Sequence, residues 1–164
     1  MMVVVKWVLI VLLVLVALTI AAGQAGLLRG KTPKNLGVNG GKLKGLSSTP
    51  NSVSSQAHLY PDHPQRKYAE VAPLALRGDG PATIERLKLL VEAMRGAKLV
   101  KSEPDYLYAQ YTTTLMKYVD DVEFWFDPAT NVIQVRSASR LGASDLGLNR
   151  KRVEAIRAAL AAAP

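Results

Sequence analysis

A chain of 164 residues is one domain by size, and a formal charge of +8 from 21 basic and 13 acidic residues invites a nucleic-acid reading. The charge is badly placed for that partner: Lys6, Arg29, Lys31, Lys34, Lys42 and Lys44 precede Gly45, every acidic residue follows it, and beyond Gly45 the two signs nearly balance. Cysteine is absent, which excludes disulfides, thiolate metal sites and cysteine nucleophiles.

The first predicted element is the apolar run from Trp7 to Ala22, bounded by Lys6 and uncharged until Arg29. At about 1.5 Å per residue it can cross a hydrocarbon core of about 30 Å. A cleaved signal peptide is the rival reading, since Lys6 makes a minimal basic flank and Ala21, Gly23 and Ala25 suit a peptidase. The run exceeds the usual length of such leaders and favours an uncleaved, single-pass anchor over residues 1–28. A buried core helix is excluded because the segment is apolar all round. The membrane is therefore the expected partner, through residues 7–28. Five basic residues follow the helix, and the positive-inside rule taken literally puts the domain in the cytoplasm. The same residues also suit a juxtamembrane segment lying against anionic headgroups.

Residues 29–50 are rich in Gly, Lys, Ser and Pro without apolar period and read as an extended linker. Leu36, Val38, Leu43 and Leu46, scattered through it, are spaced to pin it onto a domain surface. Residues 51–164 form the domain. Its first clear element is a helix over Pro81–Arg95, with Pro81 in the first turn, Gly96 at C′ and a stripe of Ile84, Leu87, Val91 and Met94. A weaker strand pattern covers residues 53–60.

Strands follow at Ala97–Ser102 and Tyr106–Thr114, separated by the turn residues Glu103, Pro104 and Asp105. In the next pair, Val122, Phe124 and Phe126 alternate with Asp121, Glu123 and Trp125, and Ile133 and Val135 alternate with Gln134 and Arg136. Pairing Asp127 with Val132 sets Phe126 against Ile133, Phe124 against Val135 and Glu123 against Arg136. A shift of one residue would mix apolar with charged groups on both faces, so the pattern selects this register and predicts a hairpin buried on one side and charged on the other. The last element is a helix from Arg150 to Ala162, with Asn149 as N-cap, Leu148 and Val153 as a hydrophobic staple, and a stripe of Val153, Ile156 and Leu160. These elements predict an α+β domain: two layers, an antiparallel sheet of four or five strands with two helices packed on one face, preceded by the N-terminal transmembrane helix.

Four separated blocks carry a family resemblance: Pro50–Gln56, Asp120–Phe124, Val135–Arg140 and Asp145–Glu154. Together they resemble the domain of unknown function 1499 family, over roughly Leu36 to Leu160. The resemblance implies membrane-associated or exported proteins of bacteria and photosynthetic organelles, with an extracytoplasmic domain and no established activity. The family's first block usually carries two cysteines; here Leu46 and Ser52 stand in those places.

The polar residues that remain concentrate around the outer face of the hairpin and the start of the last helix. Arg136 and Arg140 share a strand face, with Asp121 diagonally within reach of Arg140. Asp145, Asn149, Arg150 and Arg152 follow. Basic residues in a first helical turn oppose the macrodipole, and free N–H groups beside guanidiniums suit a phosphate, carboxylate or sulfate group. Two readings stand. In one, Arg136, Arg140, Asp145, Asn149 and Arg150 bind an anionic ligand or a protein partner, supported by ion pairs to Asp121 and Glu123. In the other, the same arginines and carboxylates are a structural network clasping the hairpin to the helix.

Catalytic patterns are thin. Asp120 and Asp121 point to opposite faces and are no dyad. His58, Asp62 and His63 on a Pro-rich loop are too few for a metal site, and no nucleophile elbow, phosphate loop or cofactor motif occurs. The choice lies between a membrane-tethered binding or accessory domain and a hydrolase-like enzyme using Asp121 or Glu123 with the arginines as anion stabilisers.

Overall fold

The structure, a computed structural model, describes residues 1–162; Ala163 and Pro164, the end of the expected domain, lie outside the described residues. Helix α1 (Met2–Gln24) is long and apolar enough to cross a membrane, and its most apolar window is not covered by the rest of the molecule. The Thr19 hydroxyl donates to the Leu15 carbonyl, so the one hydroxyl in the run is satisfied within the helix.

The remaining elements are β1 (Ser52–Ser54), the short α2 (Arg66–Ala69), α3 (Gly80–Glu92), β2 (Ala97–Ser102), β3 (Tyr106–Thr112), β4 (Val119–Asp127), β5 (Val132–Ser139) and α4 (Leu148–Ala162). The sheet is antiparallel in the order β1-β5-β4-β3-β2, and α3 and α4 cover one face, as the patterns predict. Val122 and Phe124 of β4, Ile133 and Val135 of β5, Leu107 of β3 and Val53 of β1 pack there on Ile84, Leu87, Val91, Val153, Ile156 and Leu160. Asp127 pairs with Val132, Phe126 with Ile133, Phe124 with Val135 and Glu123 with Arg136, the register expected from hydrophobic alternation.

Boundaries differ where side chains compete with the ladder. The first strand stops at Ser54 rather than running on to residue 60. The Ser55 hydroxyl accepts from the Val135 amide in place of a main-chain carbonyl, and the chain leaves the sheet into a 3-10 turn at Ala57–Leu59. Strand β3 ends at Thr112 instead of Thr114, because Thr113 closes the β3–β4 loop by exchanging bonds with Tyr118. Helix α3 stops short of Arg95: Met94 N donates to Val91 O, a tightened last turn, and Gly96 at φ 81 redirects the chain into β2. An added Cβ at Gly96 would stand 2.6 Å from the Thr112 carbonyl oxygen.

The opposite sheet face is covered as well. Residues 36–46 cross it as a strap, with Leu36 and Leu43 seated on Tyr106, Tyr108 and Trp125. A two-residue turn at Gly40–Gly41 reverses the strap; both residues have positive φ, and Asn39 and Lys42 exchange main-chain hydrogen bonds across it, as a type I′ turn requires. The face expected to be charged and open is therefore charged and buried: Glu123 is 0% and Arg136 3% exposed.

The last turn of α1 meets the domain directly. Gln24 Nε2 donates to the Leu115 carbonyl at 2.8 Å, and Gly23 passes so close to Met116 that a Cβ would lie 2.5 Å from its carbonyl oxygen. Gly30 lies against Arg140 and Leu141 in the same way.

Candidate functional site

Strand β4 carries four carboxylates, and three of them, Asp120, Asp121 and Glu123, each meet an arginine. On the strap-covered face, Arg140 grips Asp121 in a bidentate pair, Nε to Oδ2 at 2.9 Å and Nη2 to Oδ1 at 2.7 Å. The Tyr108 hydroxyl donates to the same Oδ1. The bond to Asp121 outweighs burial and holds the Arg140 guanidinium above its ordinary value. Two residues along, Glu123 Oε1 accepts from Tyr106 Oη at 2.8 Å and from the Gly37 amide of the strap at 2.6 Å. Its other oxygen stands 3.7 Å from Arg136 Nη1, and neither of those two buried atoms has a hydrogen-bond partner among the described residues. Burial pushes the Arg136 guanidinium down, against the pull of Glu123 and Asp121. Burial and the Glu123 charge push the Tyr106 hydroxyl well above its usual range.

On the helix-covered face, Asp120 Oδ2 accepts from Arg152 Nη2 at 2.5 Å, and Arg152 also donates to Asn149 Oδ1 and Ser137 Oγ. Its guanidinium lies over the Tyr111 ring, 4.6 Å from the centroid. Tyr111 is pushed up to about 12 by burial, with Arg152 opposing the shift. Asn149 is fully buried and donates to the Asn51 carbonyl, Ser139 Oγ and Asp145 Oδ2. Sequence reasoning did not pair Arg152 with Asp120. The signal lay in the α4 stripe: residues 149, 152, 156 and 160 recur at helical spacing, which puts Arg152 on the buried face.

The start of α4 is built differently from the expectation. The helix begins at Leu148, so Asn149 lies inside it rather than at its cap. Asp145, in the turn ahead of the helix, supplies the capping hydrogen bonds: its carboxylate accepts from the Gly147 and Asn149 amides, the Asn149 side chain and the Tyr68 hydroxyl. Burial opposes ionisation of Asp145, and these hydrogen bonds outweigh it, holding its carboxyl below the usual range. The negative group that the basic first turn calls for is thus supplied by the chain itself.

The candidate residues consequently fall into separate settings. Arg136 and Glu123 lie under the strap, with Arg140 and Asp121 further along the same sheet face; Asn149 and Asp145 lie at the start of α4. Arg150 turns away into a groove of about 830 Å³, which it lines with Lys42, Ser55, His58, Glu70, Gln134 and Glu154. There Arg150 donates to two main-chain carbonyls, Glu70 O at 2.8 Å and Tyr68 O at 2.5 Å. No carboxylate lies within ion-pair distance of it among the described residues.

A family model described as protein of unknown function, DUF1499, matches residues 42–160. No curated protein and no solved structure matches the chain.

Proposed function

The chain belongs to the DUF1499 family, and from that premise we propose that it is a membrane-anchored binding or accessory domain which recognises an anionic group in the groove beside Arg150. One observation carries this reading: among the arginines of the expected patch, Arg150 alone lines an open groove and has no carboxylate partner among the described residues. A guanidinium fixed by two carbonyls is already oriented, so little side-chain entropy is lost when an anion binds it. Lys42 and His58 add donors on the same walls, while Ser55 and Gln134 supply neutral polar contacts. The groove is also lined by Glu70, Asp127 and Glu154, which favours a ligand with a polar body and one anionic end over a bare polyanion.

The hydrolase reading has less support. Asp121 and Glu123 are 1% and 0% exposed, and each is held by a tyrosine hydroxyl and faces an arginine instead of lining an open cleft.

Calorimetric titration of the full chain in nanodiscs with inorganic phosphate and with small mono- and dicarboxylates tests the proposal. Saturable binding is expected, weakened about tenfold or more in Arg150→Gln, the scale of one lost charge-assisted hydrogen bond. Equal affinity in that variant, or no saturable binding of any of these anions, would overturn the assignment.

A further inference from the structure

The end of the domain that receives α1 carries an exposed apolar rim. Leu115, Leu141 and Leu146 are all exposed, Leu146 to 90%. They belong to the segments that meet the anchor: Gln24 bonds to the Leu115 carbonyl, Gly30 lies against Leu141, and Leu141 and Leu146 line one cleft with Thr113. A single exposed leucine needs no explanation, whereas several around one structural feature mark an interaction surface. Leu146 is held outward at φ 51, a backbone conformation that side chains other than glycine and asparagine seldom adopt.

Cations flank the rim. Arg95 and Lys151 line a second cleft of about 480 Å³ that shares Thr113 with the first, and Lys117 sits on the β3–β4 loop. None of the three has a carboxylate within ion-pair distance among the described residues. An anchor that spans the hydrocarbon leaves it at its C-terminal turn, so the groups touching Gly23 and Gln24 stand at headgroup height.

We propose that this end of the domain is a lipid-docking surface, with the leucines in the boundary between headgroups and acyl chains and Arg95, Lys117 and Lys151 on anionic headgroups. The domain then stands on the bilayer in one orientation instead of swinging from a tether. The inference rests on α1 being a retained anchor.

Because the chain has no cysteine, single labels report cleanly. The full chain is inserted in vesicles of phosphatidylcholine and phosphatidylglycerol, with a fluorophore at Leu115→Cys, Leu146→Cys or Ala129→Cys. The last site is exposed in the β4–β5 turn, at the far end of β4. Labels at 115 and 146 are expected to be quenched several-fold more strongly than that at 129 by a lipid-borne spin label, and to be protected from aqueous iodide. Equal iodide quenching at all three sites, in a chain that floats with the vesicles, would overturn the docking surface while leaving the anchor intact. A chain that fails to float would overturn the anchor, and the docking surface with it.

Discussion

Arginine-carboxylate pairs of the kind made by β4 differ in what their loss costs. Arg140 and Asp121 have side chains only 6% and 1% exposed and make two parallel hydrogen bonds. Removing one partner leaves the other charge buried, and the expected loss is about 3–5 kcal/mol for Arg140→Ala. A lysine there recovers only part of it, because an ammonium cannot make the bidentate contact. Urea unfolding of Arg140→Ala, Arg140→Lys and the Asp121→Ala/Arg140→Ala double variant checks this, and the double variant should cost less than the sum of its singles. Indifference to Arg140→Ala would mean the pair is hydrated and holds nothing. The pairings of Glu123 with Arg136 and of Asp121 with Arg140 were legible in the sequence, since a period of two and one turn settle which residues oppose each other. Arg150 was not separable from its neighbours by the same means, because the direction a side chain takes from a helix depends on what the helix packs against.

Among the elements, α4 has its start held by a side chain outside it. Asp145 holds its amides and is held in turn by Tyr68 and Asn149. Its folded pKa lies below the unfolded value of about 3.9, so folding favours the ionised form. That stabilisation is fully present above the unfolded pKa and is lost as the pH falls through the folded one. Stability followed by urea midpoint should therefore decline as the solution is acidified below about pH 4. Asp145→Asn should be less stable at neutral pH, with a flatter acid profile; part of the slope remains, because hydrogen bonds from Thr130, Gln134 and the loop amides hold Asp127 low against its burial. Identical acid profiles for the two proteins would show that the cap carries no such linkage. The strap is the element whose packing sequence patterns predicted least. Its leucines were legible as pins, but the face they cover was not, because an irregular segment has no period from which to read a direction.

For the whole molecule, the contact between α1 and the β3–β4 loop joins the apolar helix directly to the domain. The full chain is expected to fractionate with membranes at unprocessed mass, and deletion of residues 1–28 to release a soluble, folded domain that keeps the strap. Mass spectrometry of both fractions checks this: recovery of the full-length, unprocessed chain in the soluble fraction would sink the anchor reading. A shortened chain would identify a cleaved leader instead.

The sequence by itself determined the apolar helix, the α+β class, the β4–β5 register and the helix-covered core. Those features follow from hydrophobic period and chain length, which act locally and repeat often enough to be read. Only the tertiary structure decided that the charged face is roofed by residues 36–46, that the Asp145 carboxylate meets the start of α4, and that Arg150 alone among the arginines of the expected patch lines the groove. Each of those outcomes depends on which distant segment arrives at a surface, and the free energy of burying a charge is decided there, by the partner it finds.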